Sequence, residues 1–174
     1  MKLEGNQKRI EQIYSSPDDT QANTLRYFLG KLASVVKQTS KLEKTIETFV
    51  EKVNDYLSLS SDSKTLIYDP VQMKVYVKND WTEDAVGFDE LSSGEKQVIS
   101  LMYYLFLFDR PKIVLIDEPE LSLSIEWQQK ILPDIAFAPL CSQLIAITHS
   151  PFVFDNELDP YAGPLSIKKI KQGA

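Results

Sequence analysis

The 174-residue sequence has few residues that could cross-link the chain, since it contains one cysteine and one histidine. A single cysteine, Cys141, excludes an internal disulfide, and its place in the apolar run 140–147 is typical of a small buried side chain. No stretch approaches the roughly 20 apolar residues of a membrane span, and the first residues lack the apolar segment of a secretion signal. We therefore expect a cytoplasmic protein without a membrane partner.

Positive charge is also scarce. The sequence has 19 lysine and arginine residues against 25 aspartate and glutamate residues, a net charge of −6. This balance excludes a surface that is basic throughout, although it allows a local basic strip that meets DNA. The 43% hydrophobic and 25% charged composition is typical of a globular protein with one domain or slightly more.

A further absence concerns phosphate binding. The sequence contains no G-x-x-x-x-G-K-[ST] motif, the Walker A loop whose backbone N–H groups and lysine hold the β- and γ-phosphates of a nucleotide. Gly30 and Lys31 are the nearest trace, but Leu32 stands where serine or threonine is needed, and the surrounding pattern is helical. Such a loop would have to come from another segment or chain.

The first half of the chain predicts a long helix and a hairpin. Residues 18–20 are N-cap candidates, and apolar residues then recur every three or four positions between 25 and 57, a stripe of about 35 residues. Thr39 and Ser40 interrupt this stripe, so we expect a bend or a break there. The helix either crosses a core or forms one arm of a helical insertion. Two β-rich runs around Asp69-Pro70 then predict a hairpin.

From residue 88 onward the pattern changes to alternating helices and strands. The expected elements are a helix at 93–108, a strand at 112–116, a helix at 125–135 and a strand at 144–147. We expect the stretch 102–108 to be too apolar to face water. Continuously apolar strands that alternate with helices indicate a parallel sheet covered on both faces, with active groups beyond the carboxyl ends of its strands.

Two adjacent acids follow the first of these strands. One carboxylate, Asp117, can hold Mg²⁺ through its waters, and the next, Glu118, can polarise an attacking water as general base. This is the Walker B arrangement. An acidic turn after an apolar strand is also common without nucleotide chemistry, so both interpretations stay open.

Two further features have similar alternatives. Ser92, Ser93 and Gly94 precede a helix, where free N–H groups and the helix dipole favour an anion such as a γ-phosphate, but a simple N-cap explains them equally. His149 ends the second strand, where its ring could donate a hydrogen bond to a phosphate oxygen, or could be a structural residue.

The order and spacing of these motifs carry a resemblance. Residues 88–151 resemble the C-terminal lobe of an ABC-type ATPase, with LSSGEKQ as signature motif, IVLIDEP as Walker B and ITHSP as H-loop. The resemblance implies an α/β P-loop NTPase fold with parallel strands flanked by helices, preceded by a long helix and a β-hairpin. It divides the chain into a helical segment and hairpin at 1–80, the ATPase lobe at 81–160 and a flexible tail at 161–174.

The resemblance also implies roles for individual residues. Asp117 resembles the Mg²⁺ ligand, Glu118 the general base and His149 the γ-phosphate switch. Residues 92–95 (Ser92, Ser93, Gly94 and Glu95) resemble the loop that contacts ATP bound by a partner subunit. Ser124 falls on the D-loop aspartate, a departure that removes a charge from the expected dimer contact. ATP and Mg²⁺ are the implied cofactors.

The residues after Glu118 resemble the soluble branch that includes SMC-, RecF- and OLD-like ATPases and those of Septu- or retron-associated anti-phage systems. The implied partners are an N-terminal half that carries Walker A, in the same or a separate chain, a second copy in a dimer, a nuclease subunit and DNA. The missing Walker A loop fits a piece of a longer protein, a split subunit or a degenerate lobe; the intact Asp117, Glu118 and His149 favour the first two. The alternatives are a non-catalytic interaction module that binds no nucleotide by itself and a transporter subunit.

Overall fold

The computed structural model describes residues 20–165, with side chains from residue 23 onward. The chain forms two compact units, Met1–Lys44 and Thr45–Ala174. The division at residues 80 and 160 stays a prediction, because one compact unit can contain more than one functional segment. Among the described residues, no helix combines the length and the apolar character that crossing a membrane requires.

Helix α1 (Thr20–Leu57) confirms the predicted long helix. The helix runs without interruption through Thr39 and Ser40, so the predicted break is wrong, while the alternative of a bend stays a prediction. The Thr39 hydroxyl donates to the carbonyl of Val35 at 3.0 Å, a bond that threonine often makes within a helix. The N-cap candidates Asp18 and Asp19 lie outside the described residues. In the first unit, the large apolar side chains of the stripe that are exposed are Leu25, Tyr27, Phe28, Leu32, Val35, Val36 and Leu42.

The core of the second unit begins with the end of α1, where Phe49, Val53 and Tyr56 are buried. The hairpin is confirmed: β1 (Lys64–Asp69) pairs antiparallel with β2 (Lys74–Asn79), and the facing residues Leu66 and Val77 are both buried. A short strand, β3 (Ala85–Val86), pairs with β2 and was not predicted.

The second half of the unit contains the predicted alternation of helices and strands. Its elements are α2 (Ser93–Phe106), β4 (Lys112–Asp117), α3 (Ile125–Ala136) and β5 (Cys141–Ile147). Strands β4 and β5 are parallel, as predicted, and register Asp117 opposite Ile147. Short 3₁₀ helices occupy Phe88–Glu90, Pro151–Val153 and Asp159–Tyr161.

The sheet formed by β4 and β5 departs from the prediction on one face. Val114, Ile116, Leu144 and Ala146 pack against the core. The alternate residues face outward: Ile113 is 63% exposed and Leu115 72% exposed, and Ile145 and Ile147 are also exposed. The expectation of a sheet covered on both faces is therefore wrong for the part of the chain that the structure describes, where helices cover only one face.

Two other burial expectations also need correction. The stretch 102–108 is not wholly buried, because Tyr103, Tyr104 and Phe108 are exposed and contact one another through their rings, with the Tyr104 and Phe108 centroids 5.0 Å apart. Cys141 is only partly buried, and this burial raises the pKa of its thiol.

A proline in α3 is compensated from a neighbouring segment. Pro133 lacks the N–H that would bond to the carbonyl of Gln129, four residues earlier. The side-chain amide of Asn156 donates to that carbonyl at 2.9 Å and to the carbonyl of Val153 at 2.9 Å. Asn156 thereby ties the segment that follows β5 to α3.

Candidate functional site

The carboxyl ends of β4 and β5 bring the predicted catalytic residues together. The N–H of Glu118 continues the strand pairing by donating to the carbonyl of Ile147 at 2.8 Å. Glu118 Oε1 lies 3.8 Å from His149 Nε2, longer than a hydrogen bond, and the imidazole is 81% exposed. Asp117 is exposed at the end of β4. The ends of the two strands thus hold these three residues at one edge of the sheet, and their chemical roles stay predictions.

The backbone of Glu118 is unusual. Its φ is +48°, and Ser122 in the same turn has a φ of +64°. Residues other than glycine seldom adopt this left-handed conformation, which costs roughly 1 kcal/mol or more and concentrates at functional sites. The turn after β4 therefore holds two strained residues, one of them the acid predicted to be the general base.

The predicted signature turn begins α2 with a capping box. The N–H of Glu95 donates to Ser92 Oγ at 3.2 Å, and the N–H of Ser92 donates to Glu95 Oε2 at 2.7 Å. The N–H of Lys96 binds the carbonyl of Ser92, so the donors left in the first turn are those of Ser93 and Gly94. Ser92 and Ser93 are exposed. The turn can therefore meet an anion from outside the domain.

Glu95 itself is buried, at 2% exposure. Lys64 on β1 donates to its two carboxylate oxygens at 3.1 and 3.0 Å. Burial alone would lower the pKa of Lys64, but the hydrogen bond and the charge of Glu95 outweigh it and raise that pKa. The Glu95 carboxylate is thus committed to the turn and to Lys64, and any contribution to nucleotide binding would act through the shape of the turn.

The start of α2 packs closely on the turn that follows β4. A Cβ on Gly94 would overlap the carbonyl oxygen of Ser122. The side chain of Gln97 donates to the carbonyl of Pro119 at 3.2 Å. The turn predicted to be the signature turn and the turn after β4 therefore pack against each other.

Ser124, at the predicted D-loop position, is the N-cap of α3. Its hydroxyl accepts the N–H of Trp127 at 3.4 Å, and its residue is exposed. This contact accounts for a serine at position 124 locally, and its role in a dimer stays a prediction.

Glu120 is a site residue that the sequence did not indicate. Its Oε1 accepts the N–H of His149 at 2.9 Å and the N–H of Ser150 at 3.1 Å. Partial burial alone would raise its pKa, but hydrogen bonds from its own N–H, from His149 and Ser150 and from the Thr148 side chain hold the pKa below its usual range. An acid two positions after Glu118 is the only sequence signal, and it does not say which backbone the acid binds. Lys64 was missed for the same reason.

The donor set suits Mg²⁺ that arrives with phosphates. Within residues 20–165 no group of three or more His, Cys, Asp or Glu side chains could form a metal cage. Mg²⁺ bound with a nucleotide needs only one or two protein carboxylates, because phosphates and waters complete its octahedron. The exposed carboxylate of Asp117 and the neighbouring Glu118 fit that requirement.

Comparison with known proteins places the chain in a family. Residues 10–155 match the family described as "AAA domain, putative AbiEii toxin, Type IV TA system". No curated protein matches the chain. The matched segment contains the signature-like turn, both strands of the parallel sheet and His149. Since the match covers most of the sequence, the chain belongs to this AAA-domain family, a P-loop ATPase-type family whose members generally use ATP and Mg²⁺.

Proposed function

We propose that this chain is the C-terminal lobe of an ABC-type ATPase of the SMC-, RecF- and OLD-like soluble branch, which binds and hydrolyses ATP at a head-to-tail dimer interface. The observation that carries the proposal is the meeting of Glu118 and His149, 3.8 Å apart, beside Asp117 at the end of a parallel strand pair. Their order along the chain, after a capped serine-glycine turn, matches the order of the ABC motifs.

Each residue has a distinct part in this proposal. Asp117 would hold Mg²⁺, which would supply positive charge beside the phosphates. Glu118 accepts a proton from the attacking water, and its backbone has the left-handed conformation that concentrates at functional sites. His149 donates a hydrogen bond to the γ-phosphate. Ser92, Ser93 and Gly94 present N–H and hydroxyl donors to the nucleotide of a second protomer.

The exposed apolar face of the sheet supports a missing partner half. Parallel strands are normally buried on both faces, yet Ile113, Leu115, Ile145 and Ile147 are exposed. The sequence also lacks a Walker A loop. We propose that one N-terminal half, in the same or a separate chain, supplies both the phosphate-binding loop and the strands and helix that cover this face.

The biological setting we propose is bacterial DNA maintenance or anti-phage defence, with a nuclease subunit and DNA as further partners. The description of the matched family names a toxin of a toxin–antitoxin system, which supports a role in such conflict systems. The turn after Glu118, which departs from the usual transporter sequence, supports the soluble branch.

The test uses the complete assembly of this chain with the half that carries Walker A. We expect wild-type assembly to associate only with ATP and Mg²⁺ and to dissociate as ATP is hydrolysed, as followed by analytical ultracentrifugation and phosphate release. Glu118→Gln should stop hydrolysis and accumulate the ATP-bound dimer, because the amide cannot accept the proton. Glu157→Gln, an exposed glutamate outside the site, is the matched control.

The same experiment distinguishes the proposed ATPase from the main alternative. A non-catalytic interaction module, which the open sheet face equally supports, would bind its partner at the same affinity with and without nucleotide. Hydrolysis by Glu118→Gln at the wild-type rate would rule out the general base and the proposal with it.

A further inference from the structure

The turn between β4 and α3 reaches the end of β5 through the side chain of Glu120. One carboxylate oxygen accepts two consecutive backbone N–H groups, those of His149 and Ser150. Charge-assisted bonds of this kind are about twice as strong as bonds between neutral groups. The carboxylate therefore fixes the backbone at the point where the strand gives way to the H-loop.

The second carboxylate oxygen of Glu120 has a different environment. Glu120 Oε2 is buried, and no donor in the described part of the chain meets it with good hydrogen-bond geometry. The adjoining Thr148 hydroxyl has a single proton, which it can donate to the Glu120 carboxylate or, over a long 3.4 Å, to the carbonyl of Ser150. A buried carboxylate oxygen short of donors is costly, and the two bonds that Oε1 accepts from His149 and Ser150 offset part of that cost.

The side chain of Ser150, in the proposed H-loop, is also fixed by hydrogen bonds. The Ser150 hydroxyl donates to Gln128 Oε1 at 2.7 Å, and Gln128 Nε2 donates to the carbonyl of Leu123 at 3.0 Å. Ser150 is thus connected to the turn after Glu118 in two ways: its N–H binds Glu120 directly, and its hydroxyl reaches Leu123 through Gln128. The loop that carries the general base thus also carries the supports of the histidine.

The histidine ring has little support of its own. Its imidazole is 81% exposed, and within residues 20–165 the acidic side chain recorded near it is that of Glu118, at 3.8 Å. The position of the ring is consequently set by the backbone beneath it, which is the backbone that Glu120 binds.

We propose that Glu120 is a positioning residue: by binding the N–H groups of His149 and Ser150, it sets the distance between the histidine ring and Glu118. The inference rests on the proposed function, in which that ring meets the γ-phosphate. Glu120 touches neither nucleotide nor water in this role and acts only through the H-loop.

The experiment compares Glu120→Ala, Glu120→Gln and the control Glu157→Gln. His149 is the single histidine, so its ring signals in an NMR spectrum of the 174-residue chain need no further assignment. In Glu120→Ala we expect the amide hydrogens of His149 and Ser150 to exchange about tenfold faster or more, with shifted ring signals. Glu120→Gln keeps an acceptor at the same distance along the side chain. The exchange rates of the two amide hydrogens in this variant should therefore lie between those of Glu120→Ala and wild type.

The complete assembly supplies the second measurement. We expect Glu120→Ala to lower kcat for ATP about tenfold with little change in KM, and Glu120→Gln to restore part of that loss. If Glu120→Ala does not fold, Glu120→Gln tests the inference by itself: we expect faster exchange of the two amides and a lower kcat than in wild type.

Two results would overturn the inference: amide exchange at His149 and Ser150 that is unchanged in both variants, or normal kcat in both variants while Glu118→Gln is inactive. Failure of the proposed function looks different, because Glu118→Gln would then retain activity. The amide measurements would still report whether Glu120 anchors the loop.

Discussion

The carbonyl oxygen of Ser122 occupies the space that a Cβ on Gly94 would need. Gly94 lies in the first turn of α2, and Ser122 lies in the strained turn after β4. Their contact is between backbones, so neither side can yield by rotating a side chain. Any displacement of the turn must therefore move the start of α2, and the reverse also holds.

Gly94→Ala should destabilise the fold by about 1–3 kcal/mol, because the overlap with Ser122 outweighs the better helix propensity of alanine. Gly30→Ala is the matched control: nothing lies within 4 Å of its added Cβ, so it should stabilise α1 by roughly 0.5–1 kcal/mol. Urea unfolding of both variants measures the difference. A Gly94→Ala variant as stable as wild type would contradict the packing described.

The pair Lys64–Glu95 offers a second test. Lys64→Met should cost about 3 kcal/mol, because it leaves the buried Glu95 carboxylate without its cation. Adding Glu95→Gln, which keeps the capping box and removes the charge, should recover much of that loss. Lys78→Met, which breaks an ion pair with the exposed Glu83, should cost less than about 1 kcal/mol. Purely additive losses in the double variant would argue against the ion pair as the cause.

The compensation of Pro133 by Asn156 can be measured as a coupling. Asn156→Ala should cost about 1–3 kcal/mol by leaving the carbonyl of Gln129 unpaired. In a Pro133→Ala background, the restored N–H can bind that carbonyl, so the same substitution should cost less. A double-mutant cycle from urea unfolding gives the coupling, and a value near zero would mean that Asn156 acts only through Val153.

The ionisation of Glu120 predicts a dependence of stability on pH. Its folded pKa lies below that of an unfolded glutamate, about 4.3, so the carboxylate adds stability above that pH and loses it as pH falls through the folded pKa. The stability advantage of wild type over Glu120→Gln should therefore shrink between about pH 6 and about pH 3. Glu157→Gln controls for the loss of one negative charge. If the stability advantage of wild type over Glu120→Gln grew toward acid pH, the folded pKa of Glu120 would be raised and not lowered.

The parts of the fold that the sequence predicted correctly depend on local patterns. The spacing of apolar residues located α1, Asp69-Pro70 located the hairpin turn, and the polar ends of two apolar strands located Asp117, Glu118 and His149. Burial of the sheet could not be predicted in this way, because the apolar run 113–116 is the same whether one face or both are covered.

The missed site residues are of another kind. Ser92 and Glu95 were predicted as site residues, and only their pairing in a capping box, which the spacing S-x-x-E indicates, was missed. Lys64 and Glu120 reach their partners across 31 and 29 residues of sequence. No periodicity or propensity encodes such pairs, since they exist only once the strands and helices have assembled. The failed prediction of a break at Thr39 has a different cause: the weak helix propensity of one threonine did not interrupt a long helix.

The two-stranded sheet has a consequence for the behaviour of the chain in solution. Among the described residues, β4 and β5 pair only with each other, so each has one row of backbone donors and acceptors open to a further strand. With Leu115 and Ile113 exposed beside these rows, copies at high concentration have both an apolar surface and hydrogen-bonding edges through which to self-associate. We expect the chain alone to aggregate as its concentration rises, and production together with the proposed N-terminal half to keep it monodisperse.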